Sequence, residues 1–184
     1  RLHRFEAAMA DITLVLGGAR SGKSQYAEDL ILSRGGQPIY IATGEAMDLE
    51  MEDRIQTHKQ RREGVGWVTV EEPMNLAGAL QREARDGSHV LVDCLTLWLA
   101  NLLNAERDIE AETDALRAML ASIKGEIVFV SNEIGFGIVP DNSLARAFRD
   151  HAGRLHQAIA ATADHVVLVV AGIPMFVKGG DPKG

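Results

Sequence analysis

Gly17-Gly18-Ala19-Arg20-Ser21-Gly22-Lys23-Ser24 lies between a short apolar run, Asp11-Ile12-Thr13-Leu14-Val15-Leu16, and a helical pattern, Gln25-Tyr26-Ala27-Glu28-Asp29-Leu30-Ile31-Leu32. The stretch has the spacing of a phosphate-binding loop: Gly, four residues, Gly, Lys, then Ser or Thr. A glycine-rich turn between a strand and a helix start aims several backbone N–H groups at one point. Those donors and the helix dipole favour a polyanion. The glycines let phosphate approach where a side chain would block it. In such a loop Lys23 reaches the β- and γ-phosphates, and the Ser24 hydroxyl takes a place on Mg²⁺. A plain glycine turn ahead of an ordinary helix is the competing reading. The strand before it and the helix after it favour the phosphate loop.

Length and composition bound the rest. The 184 residues suit one domain with a full core. Hydrophobic content of 46% and charged content of 24% are those of an ordinary globular protein. A net charge of −7 argues against a nucleic-acid-coating role, which needs a basic face. It does not argue against a nucleotide, for which a cradle of N–H groups and one lysine is enough. The single cysteine, Cys94, rules out an intrachain disulfide and fits a reducing cytoplasm. No apolar run approaches the roughly 18 residues of a membrane span. Residues 1–8 lack an apolar signal core, and Met9 stands just ahead of the first strand. The expected domain is residues 9–178, with residues 1–8 an extension and 179–184 a frayed tail.

Strand and helix patterns alternate along the chain. Apolar runs at residues 11–16, 39–42, 67–71, 89–93, 126–131 and 165–170 read as six strands. Helical spacing marks residues 25–32, 49–62, 75–85, 95–103, 110–123 and 142–161. Gly35-Gly36-Gln37-Pro38, Gly64 with Gly66, and Asp86-Gly87 punctuate them. The expected fold is therefore α/β: a three-layer sandwich of the P-loop NTPase type around a mostly parallel central sheet. Ligands bind at the carboxyl ends of the strands in such sheets. Gly17, Thr43, Glu71, Asp93 and Asn132 all fall at such ends and should converge.

Several residues carry candidate chemistry. Asp93 ends an apolar strand, as a Walker B acid does, and would hold Mg²⁺ beside Ser24. It could instead cap the helix that follows. Arg54, His58 and Arg62 recur every four residues on the helix after the second strand, so they share a face suited to a triphosphate. A neutral imidazole is a competent nucleophile toward phosphorus, and nearby cations would keep it neutral. A solvated basic surface is the other reading of that face. The loop from Asn132 to Pro140 is too rich in glycine for a helix, and loops at strand ends often carry function. Arg146, Arg149, Asp150 and Arg154 could face a substrate phosphate or be paired surface charges. No Asp-x-x-Gly follows Asp93 and no Asn-Lys pair occurs, which argues against a signalling GTPase.

Five stretches together resemble a known family. They are Gly17-Gly18-Ala19-Arg20-Ser21-Gly22-Lys23-Ser24; Tyr40-Ile41-Ala42-Thr43; Arg54-Ile55-Gln56-Thr57-His58-Lys59; Val130-Ser131-Asn132-Glu133-Ile134-Gly135-Phe136-Gly137-Ile138-Val139-Pro140; and Phe148-Arg149-Asp150-His151-Ala152-Gly153-Arg154. In this order they resemble the bifunctional adenosylcobinamide kinase/adenosylcobinamide-phosphate guanylyltransferases of cobalamin biosynthesis. The phosphate loop alone is shared with many families, whereas the Asn132–Pro140 loop is far more specific.

The resemblance implies two steps. A phosphoryl group moves from ATP or GTP to the aminopropanol hydroxyl of adenosylcobinamide. GMP then moves from GTP onto the new phosphate, giving adenosylcobinamide-GDP and pyrophosphate. It implies that His58 carries GMP covalently; Thr57 stands where some members have a second histidine. It further implies nucleotide contacts at residues 17–24, at Thr43, Gly44 and Glu45, at Lys59, Gln60, Arg61 and Arg62, and at Glu71 and Asp93. Glu72 is adjacent and competes with Glu71 for that role. Family members tend to assemble as trimers, which implies a homo-oligomer. Two other readings stay open: a small-molecule kinase without guanylyl transfer, and a non-catalytic nucleotide-binding regulator.

Overall fold

The computed structural model describes residues 9–45 and 49–184, with the side chains of residues 49–51, 54, 58 and 61 outside that description. The strands are β1 (Asp11–Gly17), β2 (Pro38–Ala42), β3 (Val68–Glu71), β4 (His89–Asp93), β5 (Glu126–Asn132), β6 (His165–Val170) and β7 (Ile173–Lys178). The helices are α1 (Lys23–Leu32), α2 (Leu49–Glu63), α3 (Leu76–Glu83), α4 (Leu95–Asn104), α5 (Ile109–Leu120) and α6 (Ser143–Thr162). They build one sheet in the order β3-β2-β4-β5-β1-β6-β7. The first six of these strands pair in parallel, and only β7 runs antiparallel. The expected α/β sandwich is thus the fold observed.

Strand alternation splits the core in two. Ile12, Leu14, Ile41, Val90, Val92, Ile127 and Phe129 face α3, α4, α5 and α6, whose Leu76, Leu80, Trp98, Leu102, Leu116, Leu155 and Ile159 are buried against them. Val15, Leu91, Val128, Val130, Val167 and Val169 face the other way, with Ala27, Leu30 and Ile31 of α1. Each fully buried Leu or Ile on these faces contributes about 1.5–3 kcal/mol. Burial on both faces explains why the strands read as continuous apolar runs rather than alternating ones.

Most helix starts are closed by a side chain. Asn75, Asp108 and Asn142 cap α3, α5 and α6, and the Cys94 thiol accepts from Leu97 at the start of α4. By contrast α1 starts after Gly22 with no side-chain cap. Its first N–H groups are left for something else.

The C-terminal region departs from expectation. A seventh strand follows a tight turn in which Ala171 and Gly172 take φ of 52° and 79°. Such paired positive φ values suit a two-residue hairpin. Residues 179–184, expected to be frayed, are exposed apart from one anchored position. Pro182 is buried. Arg34 donates to the Pro182 carbonyl at 2.5 Å, and the Lys183 ammonium lies 5.1 Å from the Tyr26 ring centre. Lys178 on β7 donates to the Ala160 carbonyl at 3.0 Å and the Ala163 carbonyl at 2.5 Å, closing the end of α6.

Candidate functional site

At the carboxyl ends of the strands lies a cleft of about 930 Å³. Its wall includes Ala19, Arg20, Ser21, Gly22, Lys23 and Ser24 of the loop, with Gly44, Arg62, Glu71, Asp93 and Asn132 from other strand ends and helices. Of the five strand-end residues expected to converge, Glu71, Asp93 and Asn132 line this cleft, whereas Gly17 and Thr43 do not.

The loop is held from two sides. The Gly172 N–H of the β6–β7 turn donates to the Ser21 carbonyl at 2.7 Å. Gly22 has φ of 91°, and a Cβ there would meet the Gly172 Cα at 3.2 Å. Glycine is required at that point for conformation and for space. Gly17 also has a packing reason: its missing Cβ would lie 2.4 Å from the Ser21 hydroxyl oxygen. That hydroxyl is buried with no hydrogen-bond partner among the described residues. Lys23 is buried and its ammonium donates to the Gly18 carbonyl at 3.1 Å. Burial lowers its pKa, opposed by the nearby Cys94 and Asp93. Orphaned and half-satisfied donors of this kind fit a loop built to receive phosphate.

Facing the loop is Arg62 of α2, which is 4% exposed. Its guanidinium carbon lies 3.6 Å from the centre of the Tyr40 ring. Its Nε and Nη1 have no hydrogen-bond partner among the described residues. A buried cation with two uncommitted donors is costly unless an anion completes it. Tyr40 donates its hydroxyl to Asp93 Oδ2 at 2.5 Å and meets Trp67 edge-on at 5.6 Å. Burial, then the Asp93 charge, raises the Tyr40 pKa far above its ordinary value, so the phenol keeps its proton. Sequence reasoning read Tyr40 as a core strand residue. The available signal was a hydroxyl in an otherwise apolar strand, which must find a partner when buried.

Other expected site residues sort by geometry. Glu71 lines the cleft and is paired with Lys59. Glu72 is spent elsewhere: its Oε1 accepts from the Met74 and Asn75 N–H groups at 3.1 and 2.8 Å. Glu71 is thus the acid that the structure brings to the cleft. Thr43 is fully buried and has no group to offer a ligand. Its hydroxyl accepts from the Cys94 N–H at 2.8 Å and donates to the Cys94 carbonyl at 2.7 Å, latching β2 to the end of β4. Its own carbonyl accepts from Asn101 at 2.7 Å. Gly18, Glu45, Lys59 and Gln60 are not part of the cleft wall. The side chains of Arg54, His58 and Arg61 lie outside the described residues; the backbone places them on α2, with His58 one turn before Arg62.

Asn132 is held by the Thr96 hydroxyl at 2.9 Å, and Glu133 follows it on the cleft wall. Behind them His156 is buried and shares a 2.7 Å hydrogen bond with Ser131. Burial lowers its pKa, opposed by Glu133. The arginines of α6 are committed. Arg146 donates to the Pro140 carbonyl at 2.8 Å, and Arg149 pairs with Asp150 at 3.0 Å. Arg149, Asp150 and Arg154 line a separate shallow recess of about 350 Å³ with Gly135.

Comparison with known proteins bears on the fold and on the family of the chain. Among solved structures, an ATPase of a type III secretion system of pathogenic bacteria is similar over 86% of this chain and 50% of that one, with a TM-score of 0.50 and 9% identity. This likeness concerns the fold alone. The bifunctional adenosylcobalamin biosynthesis protein CobP of Pseudomonas aeruginosa is 49% identical over 168 residues, covering 90% of this chain and 96% of that protein. The bifunctional adenosylcobalamin biosynthesis protein CobU of Salmonella typhimurium is 42% identical over 180 residues, covering 90% and 98%. The family model described as cobinamide kinase / cobinamide phosphate guanyltransferase matches residues 13–177. The chain belongs to the cobinamide kinase / cobinamide phosphate guanyltransferase family.

Proposed function

We propose that this chain phosphorylates adenosylcobinamide with ATP or GTP and then transfers GMP from GTP to the new phosphate, through GMP held covalently on His58. One observation carries the reading beyond family membership. The phosphate loop, with its orphaned Ser21 hydroxyl and buried Lys23, and the uncommitted nitrogens of Arg62 face the same cleft. That arrangement supplies cations and donors along a triphosphate rather than at a single phosphate.

In the first step the substrate hydroxyl oxygen bonds to the γ-phosphorus. The bond from that phosphorus to the β-bridging oxygen breaks, the nucleoside diphosphate leaves, and the hydroxyl proton is released to solvent. The protein needs no nucleophile here; Lys23, the loop N–H groups and Arg62 position the phosphates and neutralise their charge. In the second step a ring nitrogen of His58 bonds to the α-phosphorus of GTP and pyrophosphate departs. The phosphate of the corrinoid then attacks the same phosphorus, the P–N bond breaks, and the imidazole is restored. Attack at the α-phosphorus comes from a different element than the loop, which accounts for a nucleophile on α2.

The cleft residues also fit Mg²⁺. Ser24 and Asp93 are hard oxygen donors lining the same cleft, and the Tyr40 hydroxyl occupies Asp93 Oδ2 only. Among the described residues no cluster of three or more His, Cys, Asp or Glu could cage a metal alone. The nucleotide would therefore bring the ion and share its coordination with Ser24 and Asp93. When bound, Mg²⁺ offsets charge on the phosphates.

The finer parts of the reading follow the same lines. A buried, unpaired Cys94 suits a reducing cytoplasm. Val170, Ile173, Met175 and Val177 leave apolar side chains exposed on β6 and the edge strand β7, a surface suited to another copy of the chain.

Incubation with α-³²P-GTP and a denaturing gel tests the function. Acid-labile, alkali-stable label on the protein is expected. A chain that phosphorylates adenosylcobinamide but takes no label is a kinase only, and one that does neither is a binding protein.

A further inference from the structure

Tyr40 has no place in the chemistry described so far, yet it touches two charged members of the cleft. It lies on β2 opposite Leu91 of β4, and Asp93 stands two residues beyond Leu91. Side chains two apart on a strand share a face, so Tyr40 and Asp93 are diagonal cross-strand neighbours. That separation of roughly 7–8 Å is one that an aromatic side chain can span. The hydroxyl spans it and donates to Oδ2 at 2.5 Å. Among the described residues, no hydrogen bond falls on the other carboxylate oxygen, Oδ1. The opposite use of Tyr40 is its ring face, 3.6 Å beneath the Arg62 guanidinium carbon.

Packing alone does not call for a tyrosine there. The buried hydrophobic sheet residues clustered with it on this face, Val15, Leu91, Val128, Val130, Val167 and Val169, are all aliphatic. A β-branched residue would complete such a surface without burying a hydroxyl. What an aliphatic residue cannot do is fix a carboxylate on one strand and seat a guanidinium from a helix at once. Trp67, edge-on to the ring, restricts its tilt. The cation of α2 and the acid of β4 are thus referred to a single side chain.

We propose that Tyr40 is a positioning residue for the metal–nucleotide centre. Its hydroxyl holds the Asp93 carboxylate so that Oδ1 is left for the ion, and its ring seats Arg62 against the phosphates. This rests on the reading of Asp93 as the metal-binding acid. The two contacts separate by substitution. Tyr40→Phe removes the hydroxyl and keeps the platform; Tyr40→Leu removes both.

The test measures binding rather than turnover. Mn²⁺ is titrated into the full chain with a β,γ-imido GTP analogue, and free Mn²⁺ is read by electron paramagnetic resonance. Affinity for the same analogue without metal is measured by calorimetry in EDTA. Tyr40→Phe is expected to weaken Mn²⁺ binding about fivefold to tenfold, the scale of one hydrogen bond to a charged group. Its metal-free analogue affinity should stay within about twofold of wild type, because a Phe face also seats a guanidinium. Tyr40→Leu should lose Mn²⁺ affinity similarly and about tenfold or more in metal-free affinity as well. A purely structural role would lower the melting temperature of both variants without this split.

Unchanged or tighter Mn²⁺ binding in Tyr40→Phe overturns the proposal, since the hydroxyl would then be idle or competing with the metal. Asp93→Asn, measured alongside, tells the two levels apart. Lost Mn²⁺ binding there with none lost in Tyr40→Phe rejects only the role of Tyr40. Full Mn²⁺ binding in Asp93→Asn rejects the metal reading of Asp93, and the proposal with it.

Discussion

The ammonium of Lys23 donates to the carbonyl of Gly18, closing the phosphate loop on itself across 3.1 Å. The bond takes up one of three donors on a buried cation, and two remain for phosphate oxygens in the proposed reaction. Lys23→Ala should therefore lower phosphorylation of adenosylcobinamide by roughly a thousandfold or more, because charge developing on the phosphates loses its main cation. The fold should survive, since a single loop bond contributes only about 0.5–1.5 kcal/mol. Kinase activity within tenfold of wild type, on a sample with native circular dichroism, would contradict the loop assignment.

Gly22→Ala probes the loop differently. Its φ of 91° places alanine in the left-handed region, at a cost of about 1–2 kcal/mol, and the added Cβ presses on the Gly172 Cα at 3.2 Å. The β6–β7 turn would have to give way, and it is that turn which supports the Ser21 carbonyl. A melting temperature lower by roughly 2–8 °C is expected for a chain of this size. Nucleotide affinity should fall too. Alanine with unchanged melting and unchanged nucleotide binding would mean that the hairpin does not brace the loop.

The parts of this architecture that were legible in the sequence are local or doubly buried. Val90, Leu91 and Val92 form an apolar run because both faces of β4 are covered, and the glycines and lysine of the loop lie within eight residues. β7 gave no such signal. Ile173, Met175 and Val177 are exposed, and Pro174 is compatible with a strand only because β7 is at the sheet edge. The docking of Pro182 rests on one arginine 148 residues away, with no periodicity to announce it. At the site, Asp93 could be found from its strand end alone. Tyr40 could not, because its role depends on the register that sets Tyr40 against Leu91. Thr43 and Gly44 show the converse: adjacent residues, one sealed behind the strand ends and one on the cleft wall, a distinction that only the fold makes.

Acid should destabilise the protein partly through His156. Burial lowers its pKa from the ordinary 6.5, so the unfolded chain takes up this proton first as pH falls. The contribution of His156 is fully present above about 6.5 and is lost as pH drops below that value toward the lower folded pKa. His156→Gln, which can still bond Ser131, should melt at a temperature closer to wild type at pH 5 than at pH 7.5. Parallel melting curves for the two proteins across that range would show that His156 is not held neutral in the fold.

His58 bears the most decisive prediction, because it separates the two reactions. Guanylyl transfer through a covalent intermediate needs a nucleophile from the protein, whereas phosphoryl transfer takes its nucleophile from the substrate hydroxyl. His58→Ala should therefore abolish GMP labelling and all adenosylcobinamide-GDP formation, yet leave adenosylcobinamide phosphorylation within about tenfold of wild type. Some loss in that step is expected, since Arg62, proposed to hold the same nucleotide, lies one turn farther along α2. The label on the wild-type chain should be a phosphoramidate, stable in alkali and lost in acid. Lys59 and Lys23 are the other nitrogen nucleophiles to be weighed against His58. Lys59 is engaged by Glu71, and Lys23 is buried against the loop carbonyl of Gly18. Peptide mapping of the labelled protein decides among the three. Label on the peptide holding His58, absent from His58→Ala, is the expected result. Labelling that persists in the variant, or label recovered on either lysine, would make His58 a binding residue and move the nucleophile off this position of α2.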